Sequence, residues 1–514
     1  MKHYLLTGEK WIPVLRRDGS TADVSLLELF GEGREIADLL VPPGARVALM
    51  RFLLCIVSRS LPLPPTRSEW EFAKERIAPQ AIAYLKEWES AFDLYGEHPF
   101  LQVVGLEKEW NATLDKLDFN LASGNNHTLF DHLASDAGRP HPPAWQALML
   151  LVAQNFSPGG LIGPNQWNHI KTNEKTGNSA SPAVEGSPLH TFLLGDDILE
   201  TLHLNLIPQA ELGTLKLGVP VWEKFPNDPG EAQEFRDTLF GRLTPLSRAV
   251  RLPEEGTAIS FAVACNYARI SEFVDPYLEN RRAGKKETLS YLRIQPERHP
   301  WRELESLLAL HPSAAELTPP KHLLNRYLIP DDKELRLWCG GVAMDQAKYI
   351  FSGEWLFTFQ AQAQYRTELP VLLGHFARTA EEVATLLEKT IEIFWNHFAY
   401  VGDKNKPVNV PKKIRKEQEK AREQAQKQAV RSFWQRLDMS VAAFFNPQGK
   451  KEPDFTELYR ELRDAAETFF TAALPNQSPR GIMAYVKTMP YFRKELKRIL
   501  GDQITEKGDR EDGE

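Results

Sequence analysis

From residue 379 to residue 500, apolar side chains recur at the three- and four-residue spacing of a single helix face, over stretches too long for strands. Thr379 followed by Glu382 has the pattern of a capping box, and Val383, Leu386, Leu387, Ile391, Phe394 and Phe398 continue the stripe. The spacing predicts a second helix from about Pro411 to Phe445, a third carrying Phe455, Leu458, Leu462, Ala466 and Phe469, and a fourth over residues 480 to 500. Helices of this length, each with one apolar face and joined by short loops, bury those faces best against one another. The expected unit is an antiparallel four-helix bundle.

The remainder has a different texture. Strand-like runs ("KWIPVL", "AISFAVACNYA", "TLSYLRIQP") alternate irregularly with helical ones ("WQALMLLVAQNF", "DILETLHLNLI") and with many Pro and Gly breaks. The fold class expected is α+β: a large irregular mixed domain over residues 1–375, the bundle over 376–502, and an acidic tail over 503–514, expected to be disordered. No internal repeat appears. The polar stretch "NQWNHIKTNEKTGNSASPAVEGSP", residues 165–188, is longer than a simple connection requires and reads as a functional loop.

Charge narrows the partners. The 514 residues carry 62 Lys and Arg against 69 Asp and Glu, a net charge of −7, so any contact with nucleic acid has to come from local basic patches. The second bundle helix supplies one: Lys412, Lys413, Arg415, Lys416, Lys420, Arg422, Lys427, Arg431 and Arg436 face only Glu417, Glu419 and Glu423. The fourth adds Lys487, Arg493, Lys494, Lys497 and Arg498. Clustered cations of this kind either solvate a helix face or neutralise backbone phosphates with release of counterions. Three isolated cysteines, Cys55, Cys265 and Cys339, point to a reducing compartment and away from structural zinc. The most apolar early segment, "LLVPPGARVALMRFLLCIV", is broken by Pro42, Pro43, Arg46 and Arg51, so no membrane span or export signal is expected and the location expected is cytoplasmic.

Motifs for catalysis are weak. "NNHTLFDHLASDAGRPH" gathers His127, Asp131, His132, Asp136 and His141, yet their spacing matches neither HExxH nor a zinc finger. No GxSxG, Walker A or GxGxxG motif is present, and no cofactor or metal is expected. A metal-dependent nuclease or deaminase built on that cluster is the competing enzyme reading. A structural scaffold whose basic face is merely solvated is the other.

Several short stretches read in order carry a further signal: "KWIPV" at 10–14, "GEHPFLQV" at 96–103, "SGNNHTLF" at 123–130, "NFSPGGLIG" at 155–163, "GSPLHTFLLGDDILETLHLNL" at 186–206 and "GGVAMDQAKY" at 340–349. Together with the bundle they resemble the CasA family, large subunits of the type I-E CRISPR surveillance complex Cascade. The resemblance implies a non-catalytic protein of antiviral defence. Such a subunit recognises the protospacer-adjacent motif (PAM) in double-stranded DNA, promotes duplex opening and R-loop formation, and recruits a helicase-nuclease. Its implied partners are a CRISPR guide RNA, double-stranded target DNA, the other Cascade subunits and that helicase-nuclease, with no membrane. Sequence reading is left to base pairing.

The resemblance also distributes roles. Asp345 and Gln346 match a hairpin wedge that separates the first target base pair. The family pattern has an amide where this chain has Asp345; an ionised carboxylate cannot donate and repels phosphate, so Gln346 is the contact expected. A polar side chain on a turn supported by the Gly340–Gly341 pair could enter a base stack. Gly159 and Gly160 match a glycine loop laid in the minor groove, where the missing Cβ lets the backbone approach base edges; the same glycines could instead cap the helix "WQALMLLVAQNF". Lys285 and Lys286 are equally eligible for a lysine finger beside that loop. Phe130, with Asn125 and Asn126, matches a loop on the guide's 5′ handle, where an aromatic face can stack an unpaired base. Lys412, Lys413, Arg415 and Lys416 are expected on the DNA backbone.

Overall fold

A computed structural model of the chain describes residues 3–62, 67–107, 110–121, 138–158, 166–171, 180–267, 273–283, 288–309, 317–345, 348–360, 362–399, 412–445, 455–475 and 478–504. The chain divides into two compact units. The first comprises Met1–Arg298, Ser306–Leu356 and Gln360–Gln362; the second comprises His299–Glu305, Phe357–Phe359 and Ala363–Glu514.

The first unit is organised on the helix Pro43–Ser60, buried from Gly44 to Ser58. A helix apolar on all sides belongs inside, and the residues that interrupt the hydrophobic run explain how it gets there. Pro43 occupies the first turn, where its missing N–H is no loss. Arg46 donates to Asp38 at 2.6 Å and to the Leu39 carbonyl at 2.8 Å, while Arg51 donates to the Arg242 carbonyl at 2.7 Å and lies 3.5 Å from Asp275. Both guanidinium groups are thus buried with acceptors. The helices Arg67–Glu87 and Pro143–Phe156 pack beside it.

Small antiparallel sheets surround this core. Ile12–Arg16 lies between Thr21–Val24 and Ile36–Leu39, with Val14 opposite Ala22 on one side and Leu39 on the other. Ala258–Val263 pairs with Arg248–Arg251, Val250 facing Phe261, and with Ala112–Thr113. Asn280–Ala283 lies between Thr288–Tyr291 and Leu317–Thr318. Glu334–Asp345 is the middle strand between Lys348–Gln360 and His190–Leu194. The structure therefore has the α+β class expected, with a helical C-terminal region.

The second unit holds four long helices, Ala363–Ala399, Lys412–Phe445, Phe455–Ala472 and Pro479–Leu500. Their facing stripes meet in a core of Val383, Leu387, Ile391 and Phe394, Phe433 and Leu437, Leu462 and Phe470, and Phe492 and Leu496, all buried. Trp301 donates its indole N–H to Asp438 at 2.7 Å and its ring lies tilted 5.7 Å from that of Phe376, and the Arg302 guanidinium sits 3.5 Å above the Trp434 ring. Thr379 caps nothing: the first helix begins at Ala363, and the Thr379 hydroxyl donates back to the His375 carbonyl at 3.0 Å. The expected boundary at 375/376 therefore falls inside a continuous helix. An in-helix threonine bonded four residues back and a true N-cap read alike from sequence. Among the described residues no helix is long and apolar enough to cross a membrane.

Candidate nucleic-acid interface

The strand Glu334–Asp345 ends at an exposed Asp345, and Gln346 follows outside the described residues. Joined through only two residues, this strand and Lys348–Gln360 form a hairpin. The Gly340–Gly341 pair does not support its turn. Both glycines are buried well inside the strand: a Cβ on Gly340 would come within 2.5 Å of the Trp338 ring and 2.8 Å of the Gly353 carbonyl, and one on Gly341 within 2.9 Å of the Pro188 carbonyl. Their function is close packing of neighbouring strands.

What fixes the end of the hairpin is Ser187. Its hydroxyl accepts from the Met344 N–H at 3.0 Å and donates to the Met344 carbonyl at 3.3 Å. Ser187 is held in turn, since Ile294 N–H donates to its carbonyl at 2.9 Å and Leu189 N–H donates to Leu292 at 2.8 Å. The segment after the strand Thr288–Tyr291 thus meets the hairpin end at Ser187. Lys285 and Lys286 fall between the paired strands Asn280–Ala283 and Thr288–Tyr291, outside the described residues.

The glycine loop has a rigid root. The helix Pro143–Phe156 ends through Ser157 in an extended conformation (φ −58°, ψ 123°) followed by Pro158, so no glycine caps it. Arg248, buried, donates to the Pro158 carbonyl at 2.9 Å, and burial lowers its basicity to about 9. Ser181 N–H donates to the Ser157 carbonyl at 3.0 Å, and Gln154 bridges the Leu101 and Arg248 carbonyls. Gly159 and Gly160 themselves lie outside the described residues. Part of the stretch 165–188 is ordered packing, since Gln166–Trp167 pairs with Ile170–Lys171, and Trp167, Ser181, Ala183 and Val184 are buried.

Of the metal-type cluster, only His141 is described. Its Nε2 lies 2.7 Å from Asp115 and its ring stacks 3.6 Å from Trp145. Burial works against ionisation of Asp115, but bonds from His141 and Arg139 outweigh it and hold the carboxyl below its ordinary value. His141 is therefore engaged in a structural network. His127, Asp131, His132 and Asp136 lie outside the described residues, as do Asn125, Asn126 and Phe130. Among the described residues no group of three or more His, Cys, Asp or Glu is placed to hold a metal. The three cysteines are buried thiols, and burial pushes Cys55 and Cys265 up to about 12.

On the second bundle helix Lys416, Lys420, Lys427 and Arg431 are exposed, whereas Arg436 is paired with Glu461 at 3.1 Å. Lys412, Lys413 and Arg415 occupy its first turn, their side chains outside the described set. On the fourth helix Lys487, Arg493, Lys494 and Lys497 are exposed. Sequence reasoning found these cations but missed Ser187 and Arg248, whose roles depend on contacts ninety or more residues away in the chain.

This fold is shared with solved Cse1 proteins. The chain superimposes on the crystal structure of Thermobifida fusca Cse1 with a TM-score of 0.76 at 20% identity, covering 97% of this chain and 98% of that one. A crystal structure of Thermus thermophilus CasA gives a TM-score of 0.74 at 23% identity over 98% of this chain and 100% of that one. In sequence it is 33% identical over 322 residues to the CRISPR-associated protein CasA/Cse1 of Thermus thermophilus, a match spanning 60% of this chain and 61% of that relative's length. Residues 6–474 match the family described as CRISPR-associated protein Cse1, and the chain belongs to that family.

Proposed function

We propose that this chain is the non-catalytic large subunit of a type I-E RNA-guided CRISPR interference complex. In that role it recognises the flanking motif in double-stranded DNA, opens the duplex for R-loop formation and recruits a helicase-nuclease. The observation that carries the reading is the family match along residues 6–474. A chain of a solved CRISPR RNA-guided surveillance complex also shares the fold, with a TM-score of 0.71 over 96% of this chain and 100% of that one, at 19% identity.

The two units support a division of labour. The first carries the flanking-motif and guide-handle contacts: Gly159 and Gly160 approach the minor groove from a root clamped by Arg248, with Lys285 or Lys286 beside them. Gln346, one residue beyond the exposed Asp345, acts as the wedge on a hairpin end braced by Ser187. Asn125, Asn126 and Phe130 contact the guide's handle. The bundle follows the DNA backbone through Lys412, Lys413, Arg415 and Lys416.

The test is reconstitution. Complexes assembled with guide RNA, with and without this chain, are compared on a closed duplex bearing the flanking motif and on one pre-melted at its first base pairs. Loss of closed-duplex opening with partial retention on the pre-melted target is expected. Equal opening of both targets without this chain would overturn the proposal.

A further inference from the structure

Within the bundle lies a cavity of about 510 Å³, lined by Trp395 of the first helix, Gln424, Ala425 and Gln428 of the second, and Phe469 and Leu474 at the end of the third. That size falls in the range of small-molecule sites, roughly 300–1,000 Å³. Alanines at 421, 425 and 429 clear the space from the second helix, where larger side chains would fill it. Two features distinguish it from a packing defect. The indole Nε1–H of Trp395 is shielded from solvent and has no acceptor among the described residues, so a donor stands ready at the wall. The rim is formed by the exposed amides of Gln424 and Gln428, which can both donate and accept.

Three cations of the second helix stand beside that rim, with the exposed Glu423 among them. Lys420 precedes Gln424 by four residues, Lys427 follows it by three, and Arg431 follows Gln428 by three. On a helix these are surface neighbours, so the three exposed cations line the strip beside the mouth. An occupant suited to this arrangement has a flat apolar body, polar edges that both accept and donate, and phosphates on either side.

We propose that the cavity receives an unpaired nucleobase of single-stranded DNA, whose flanking phosphates are held by Lys420, Lys427 and Arg431. The inference rests on the reading above that the bundle follows nucleic acid. It adds that the bundle captures a displaced strand by its bases as well as by its charge. Trp395 and Phe469 supply the aromatic wall, and the glutamines meet base edges without demanding one base.

The experiment uses the full chain with oligothymidylate, a strand of the same length made of abasic units, and a duplex. The wild-type chain should bind oligothymidylate about 5- to 150-fold more tightly than the abasic strand, the factor that stacking of one base supplies. Ala425→Leu, which narrows the cavity at its middle with a good helix former, should shift oligothymidylate binding toward the abasic level and leave duplex binding unchanged. Equal affinity of the wild-type chain for the two strands overturns the pocket, as does an Ala425→Leu chain that keeps the preference. The first comparison does not depend on the variant folding. Duplex binding without base dependence removes the pocket alone; failure to bind any of the three removes the backbone reading with it.

Discussion

The Ser187 hydroxyl clasps the Met344 backbone at both its N–H and its carbonyl, one residue before the exposed Asp345. A single side chain thereby fixes the strand end from which the proposed wedge projects. Ser187 itself sits at φ 53°, a left-handed conformation that a non-glycine residue adopts only where its surroundings hold it.

Ser187→Ala is expected to lower stability by about 1–2 kcal/mol, because the half-buried Met344 N–H loses its acceptor. Chemical denaturation of the two chains measures this. A difference within about 0.5 kcal/mol, the range of ordinary surface substitutions, would show that the clasp is dispensable.

Gln346→Ala should slow opening of a closed target while leaving binding to a pre-melted one nearly intact, since a wedge acts on unstacking that the second substrate no longer requires. Stopped-flow measurement of strand separation on both targets decides the matter. Equal losses on the two would remove Gln346 from the wedge.

Gly160→Leu should weaken recognition of flanking-motif duplexes without impairing assembly with guide RNA. The neighbouring helix already ends through Ser157 and Pro158, so the substitution is not expected to disturb the fold. Binding to duplexes with and without the motif, alongside a thermal melt, separates the two effects. A lowered melting temperature with unchanged motif preference would assign the glycine to structure.

Neutralising Lys412, Lys413, Arg415 and Lys416 together should weaken binding about uniformly across targets. The slope of log affinity against log salt should flatten by up to about 0.9 per lost phosphate contact. Preference for the flanking motif should stay constant, because phosphate contacts position nucleic acid without identifying bases. A salt titration of assembled complexes on two targets is the measurement, and an unchanged slope would mean the face serves solvent or a protein partner.

Acid should destabilise the first unit through two buried histidines. Burial lowers His190 to about 3 and His322 to about 4, against an unfolded value of about 6.5. Both are neutral in the folded chain and take up protons on unfolding below pH 6.5. Their contribution is therefore complete above that pH and declines as pH falls toward 4, with a slope of up to about 1.4 kcal/mol per unit for each. Denaturation midpoints at pH 7 and pH 5 test it, and His322→Gln, which can still donate to the Thr191 carbonyl, should flatten the decline.

The bundle was the most legible part of the sequence because its helices are specified locally: the stripe from Val383 to Phe398 and the run ending at Phe445 repeat over many turns. The strands at "KWIPVL" and "AISFAV" were legible for the same reason, through β-branched and aromatic composition. The helix Pro43–Ser60 was not, because Arg46 and Arg51 look like surface residues until Asp38, Asp275 and the Arg242 carbonyl are brought to them. The candidate site was legible as motifs but not as geometry. Asp345 could be placed at a hairpin from its neighbours in sequence, whereas its brace comes from position 187.

Gly340 and Gly341 leave no room for a methyl group beside Trp338, Gly353 and Pro188. Any comparison of relatives that ranks positions by invariance would therefore place this pair beside the residues proposed to touch DNA, for a reason unconnected with DNA. Random mutagenesis would show the same coincidence: alleles at 340 and 341 should lose interference through loss of soluble protein, while alleles at 346 should lose it with protein abundance intact. Screening for abundance alongside immunity would separate the strand packing at 340 and 341 from the proposed wedge at 346.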